Sequence, residues 1–106
     1  MEDQIISDIL VTAFEGGSNY WLDKIEIVPL APATAEVASD VPGLGGFLDL
    51  YFAGEVRRLD RSMIEKGIYA AAKLRGRSVQ GFYDDHDAED ADVALQLAVL
   101  GEVIYS

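Results

Sequence analysis

The chain has 106 residues, half of them apolar and a quarter charged, which fits one globular α+β-sized domain spanning 1–106 and excludes a disordered chain. Nineteen acidic residues against eight basic ones give a net charge of −11, which disfavours direct contact with nucleic acid or an anionic membrane. The absence of cysteine excludes disulfides, thiolate nucleophiles and zinc–thiolate sites.

Apolar spacing at Ile5, Ile6, Ile9, Leu10 and Ala13 predicts a helix over Glu2 to Phe14. Gly16 and Gly17 are expected to end it in the left-handed conformation. Tyr20 to Val28 is rich in aromatic and β-branched residues and reads as a strand. Leu22 breaks the Ile25/Ile27 parity, so an irregularity is expected near Asp23. All three prolines fall in 29–46, read as a surface loop with a helical turn at Thr34 to Ala38. Phe47 to Ala53 is a second strand with Leu48, Leu50 and Phe52 on one face. Gly54-Glu55 is the expected turn into a short strand, Val56 to Leu59.

Asp60 is placed to cap a helix running to Leu74, with Met63, Ile64, Gly67, Ile68, Ala71 and Leu74 inward and Gly76 at its end. Val79 to Tyr83 reads as a short edge strand. Asp87 is the expected cap of a helix through Leu100, apolar on nearly every side beyond Asp92 and so central to the core. Gly101 ends it, and Val103, Ile104 and Tyr105 form a last strand joining the sheet. The expected fold is α+β: three helices packed on a small, mainly antiparallel sheet in a single domain.

Catalytic patterns are scarce. His86 is the only histidine, lies among Asp84, Asp85 and Asp87, and has no nucleophile motif beside it. The run Asp84, Asp85, Asp87, Glu89, Asp90 and Asp92 lacks the spacing of a calcium loop. It reads either as a capped, solvated helix start or as a surface whose charge density approximates nucleic-acid phosphates. Pro42-Gly43-Leu44-Gly45-Gly46 lacks the lysine and Ser/Thr of a phosphate loop. No catalytic residue, metal or cofactor is expected. Glu15, Asn19, Tyr20 and Trp21 combine polar groups with aromatic surfaces at a helix–strand junction, and are a candidate pocket or contact patch.

Charge is also uneven along the chain. Residues 1–56 hold ten acids and one lysine, 57–77 hold seven bases and two acids, and 78–106 hold seven acids and no base. The basic middle is expected to neutralise the acidic ends within the fold.

Glu15-Gly16-Gly17-Ser18-Asn19-Tyr20-Trp21, Gly45-Gly46-Phe47-Leu48-Asp49-Leu50, Asp87-Ala88-Glu89-Asp90-Ala91-Asp92 and Leu100-Gly101-Glu102-Val103-Ile104-Tyr105-Ser106 together resemble small proteins encoded by bacteriophages, prophages and their bacterial hosts. Those proteins carry a Glu-Gly-Gly-x-Asn-Tyr-Trp signature and an Asp-Ala-x-x-Ala-Asp helix. Leu100 and Ser106 depart from the usual Phe and Gly, and the Leu30 to Leu44 loop has no counterpart. The resemblance implies a phage setting and assigns no activity. It points to a non-enzymatic inhibitor of a host defence or nucleic-acid-handling complex, acting as an acidic DNA mimic on a basic protein surface. Two alternatives stand beside it: a small-molecule or enzymatic site at Glu15–Trp21, and an assembly role in which the basic segment meets a second copy. No apolar run approaches the roughly 20 residues of a membrane span, and the acidic start lacks the basic region of a secretory signal. The expected compartment is the bacterial cytoplasm.

Overall fold

The computed structural model describes residues 1–29 and 35–106. Helix α1, Asp3–Thr12, buries Ile5, Ile6, Ile9 and Leu10 along one face, as their spacing requires. It does not stop at the glycine pair. Ala13–Gly17 continue as a π-helical turn, and the backbone N–H of Ser18 reaches back to the Ala13 carbonyl at 2.8 Å. Neither Gly16 nor Gly17 has a positive φ, so the expected left-handed cap is absent. Gly17 serves close approach instead: a Cβ there would lie 2.4 Å from the Ala88 carbonyl oxygen.

Strand β1 is only Lys24–Ile27, shorter than expected. Tyr20 and Trp21 precede it in a tight turn where Trp21 and Leu22 both donate to the Ser18 carbonyl. That turn accounts for the broken parity at Leu22. The helical turn expected from Thr34 falls partly outside the described residues; a 3₁₀ turn is found at Ala38–Asp40. Strand β2, Leu48–Phe52, lies between β1 and β3, Glu55–Leu59, and both pairings are antiparallel. Leu48, Leu50 and Phe52 face the core. The hairpin turn is Ala53-Gly54, one residue earlier than expected, with φ of 51° and 74°. Two consecutive positive φ values match the twist of the flanking strands.

Helix α2, Arg61–Leu74, starts where the Asp60 side chain accepts from the Met63 N–H at 2.9 Å. It buries Ile64, Gly67, Ile68, Ala71 and Ala72, whereas Leu74, expected inward, is exposed. The expected edge strand at Val79 to Tyr83 is a helix, α3, Val79–Asp85, capped by Ser78. Val79, Phe82 and Tyr83 sit at i, i+3 and i+4, so a helix packs all three against the core and buries Phe82 fully. Helix α4, Ala88–Leu100, opens with a capping box in which Asp87 and Asp90 each accept from the other's backbone N–H. Gly101, at φ 77°, ends it.

Among the described residues the result is an α+β fold with four α-helices rather than three and a three-stranded antiparallel sheet. Val103 to Tyr105 do not join that sheet. Among the described residues no helix is long and apolar enough to cross a membrane. Helices α2 and α4 pack against each other where Gly67 lets the backbones meet. A Cβ at Gly67 would lie 2.3 Å from the Ala94 carbonyl oxygen and 2.7 Å from Ala98 Cβ. Alanine is the better helix former by about 1 kcal/mol, yet here the overpacking cost wins. Gly67→Ala should lower stability by about 1–3 kcal/mol in urea unfolding.

Candidate functional site

The fold buries a carboxylate that the sequence places in an acidic run. Asp92 is on the inward face of α4 and only 6% exposed. Its Oδ1 accepts from Ser18 Oγ at 2.8 Å and Trp21 Nε1 at 2.7 Å. Its Oδ2 accepts from Tyr20 Oη at 2.6 Å and Gln96 Nε2 at 3.0 Å. Burying an ionised carboxylate is costly unless it is hydrogen-bonded, and four donors meet that need here. The π-helical turn makes the geometry: it carries the chain past Ala88 closely enough for the next four residues to deliver three donors to α4.

Gln96, one helical turn on, is fully buried and holds the last residues of the chain. Its Oε1 accepts from the N–H groups of Ile104 and Tyr105, each at 2.9 Å, and its Nε2 donates to the Tyr105 carbonyl at 3.0 Å. One amide side chain thus replaces the strand ladder expected there. Tyr105 then stacks on Trp21 with ring centroids 5.2 Å apart and planes 4° from parallel, while Phe52 meets the Trp21 ring edge-on.

Above this network, between the π-helical turn, the start of α4 and the final residues, is a cleft of about 370 Å³. Gly16, Tyr20, Glu89, Val93, Val103 and Tyr105 form its walls. Removal of the Tyr20 hydroxyl from water, followed by its bond to the Asp92 carboxylate, pushes that phenol up to about 12. Of the four residues proposed for this junction, Tyr20 lines the cleft, Trp21 is buried beneath it, and Glu15 and Asn19 are exposed outside its walls.

The acidic run divides. Asp84, Asp85, Asp87 and Glu89 are exposed over the α3–α4 junction. Asp90 and Asp92 are buried and are not part of that surface. Asp90 closes the capping box and accepts from Arg75 Nε at 2.8 Å. The Asp90 backbone N–H holds the Asp87 carboxyl below the ordinary aspartate value.

His86 is half-buried rather than a solvated loop residue. Its Nδ1 donates to the Tyr83 carbonyl at 2.7 Å, and its Nε2 lies 2.9 Å from Thr12 Oγ1. A hydroxyl beside an oriented imidazole has the reach of a nucleophile–base pair. The Thr12 hydroxyl, however, also bonds the Asp8 carbonyl, and the Asp8 and Asp84 carboxylates border the same shallow groove. The pair joins α1 to the α3–α4 connection. Among the described residues no group of three or more His, Asp or Glu side chains is placed to share a metal ion.

The sequence reading missed Gly16, Val93, Val103 and Tyr105 as cleft walls, and Ser18 and Gln96 as network members. Gln96 carried a signal, since it is the one polar residue between Val93 and Leu100. No protein-family profile, curated protein sequence or solved structure matches the chain.

Asp92→Ala would leave the donors of Ser18, Tyr20, Trp21 and Gln96 without their acceptor. It should cost on the order of 3 kcal/mol or more and red-shift the Trp21 fluorescence as its ring gains water. Tyr20 also sets a pH dependence. Its folded value of about 12 lies above the ordinary 10.0, so its contribution is complete below pH 10 and fades as pH rises through 12. Spectroscopic titration of wild type against Tyr20→Phe should lose one phenolate step near pH 12. The variant's stability should also fall less steeply between pH 10 and pH 12.

Proposed function

We propose that the protein works by binding a basic protein surface and catalyses no reaction. The observation that carries this is the arrangement of charge. Asp84, Asp85, Asp87 and Glu89 are exposed together at the α3–α4 junction. Among the described residues no lysine or arginine forms an ion pair with Asp84, Asp85 or Asp87.

Four bases of the middle segment, Arg57, Arg58, Arg61 and Arg75, are engaged elsewhere, whereas Lys66, Lys73 and Arg77 form no ion pair among the described residues. Arg58 pairs with Asp49, Arg61 with Asp3 and Glu65, and Arg75 with Asp90 and, at 3.7 Å, with Glu89. These pairs reach both acidic ends of the chain, as the charge distribution led us to expect, and among the described residues they leave Asp84, Asp85 and Asp87 without a cation of this chain.

A net charge of −11 would steer a basic partner towards this face and repel nucleic acid. The likeness to phage-encoded proteins favours a bacterial host complex that handles nucleic acid, with the carboxylates occupying a groove made for phosphates. The immobilised protein should retain such a complex from bacterial lysate at low salt and release it at high salt or on addition of duplex DNA. Asp84→Asn/Asp85→Asn/Glu89→Gln should weaken retention with unchanged thermal stability, since none of the three side chains is buried. Retention insensitive to both salt and this variant would contradict the proposal.

A further inference from the structure

We infer that the cleft between the π-helical turn and α4 takes an arginine side chain of the basic partner. The inference rests on the reading just given and names the group that is recognised. Its first support is Glu89. This carboxylate borders the cleft, its side chain is 79% exposed, and among the described residues its only cation is Arg75 at 3.7 Å, which is itself committed to Asp90 at 2.8 Å. Asp92, the other acid at the cleft, has both oxygens already occupied by four donors. Glu89 is therefore the available counter-charge, and it excludes a phosphate or carboxylate ligand from the same space.

The walls supply the rest of the match. Val93 and Val103 offer apolar surface to a methylene stem, while Tyr20, 55% exposed, offers an aromatic ring beside the carboxylate. A planar guanidinium can lie on an aromatic ring and bond a carboxylate at once, which a compact ammonium does less well. The volume, about 370 Å³, is ample for one long side chain.

Gly16 is an independent sign that the space is kept open. Gly17 has a packing reason to lack a side chain, but Gly16 has none: its φ is not positive, and a Cβ built there meets nothing within 4 Å. Glycine is less favourable than alanine in a helical turn, and the fold gains nothing visible from it here. Gly16 borders the cleft, and the position a side chain would occupy there is open space.

The test is an NMR titration of the isotope-labelled full chain with acetyl-arginine amide, and with acetyl-citrulline amide as the uncharged isostere. Arginine should give saturable shifts at the Gly16, Gly17, Val93 and Val103 amides. Citrulline should bind roughly tenfold more weakly or not at all. Glu89→Gln should weaken arginine binding roughly fivefold, and Gly16→Leu should abolish it while the spectrum stays dispersed. Equal binding of citrulline, absence of saturable shifts at these amides, or undiminished binding in Glu89→Gln would overturn the inference. Asp84→Asn/Asp85→Asn lies outside the cleft and separates the two readings. If that variant loses the lysate partner while arginine fails to bind the wild type, the acidic-surface reading stands and the cleft inference falls. If arginine binds the cleft while partner retention ignores both salt and that variant, the acidic-surface reading falls and the cleft stands as a site for guanidinium alone.

Discussion

A carboxylate buried inside a small domain demands donors, and the way Asp92 obtains them organises much of this molecule. Ser18, Tyr20 and Trp21 come from a single turn, and Gln96 comes from the same helix as Asp92 itself. The donors lie 71 to 74 residues away along the chain from the carboxylate in the three turn contacts. Bringing them together ties the end of α1 and the entry to β1 onto the middle of α4. Hydrophobic burial supplies most of the driving force for such a domain, but it is indifferent to direction. The carboxylate is directional, and it selects one seating of the turn on the helix.

That seating explains features that look unrelated in the sequence. The extra residue of the π-helical turn and the missing side chain at Gly17 let the backbone pass against Ala88. Trp21 can then reach Asp92 with its indole nitrogen while its ring is held between Phe52 and Tyr105. Gln96 extends the network to the last residues, whose backbone it satisfies in place of a strand. The three segments 15–21, 87–92 and 101–106 meet in this one assembly. The cleft is its outer surface, so the groups that stabilise the junction also shape the space beside it.

The acidic character of the chain has two separate roles. Asp90 and Asp92 are spent inside the fold, one on a helix cap and an arginine, the other on the polar network. Asp84, Asp85, Asp87 and Glu89 remain on the outside, where water screens them and their mutual repulsion costs little. A surface built this way carries its charge without loading the core. Arg75 marks the border between the two sets, bonding Asp90 closely and Glu89 only loosely.

Much of what depends on neighbours within a few residues was legible in the sequence, though the glycine pair at 16–17 and the exact hairpin turn were not. The buried face of α1, the alternation of Leu48, Leu50 and Phe52, the Asp60 and Asp87 caps and the stop at Gly101 all follow from local periodicity and local hydrogen bonds. At Val79 to Tyr83 the local pattern suits both a strand and a helix, and only the pocket that receives Phe82 decides for the helix. The final residues were legible as structural but not as to how they are held, because Gln96 offers the same donor and acceptor that a strand edge would. Asp92 was indistinguishable from its exposed neighbours for a similar reason. Its charge is visible in the sequence, but its burial depends on donors more than seventy residues away. Nothing short of the assembled tertiary structure brings those donors within hydrogen-bond reach.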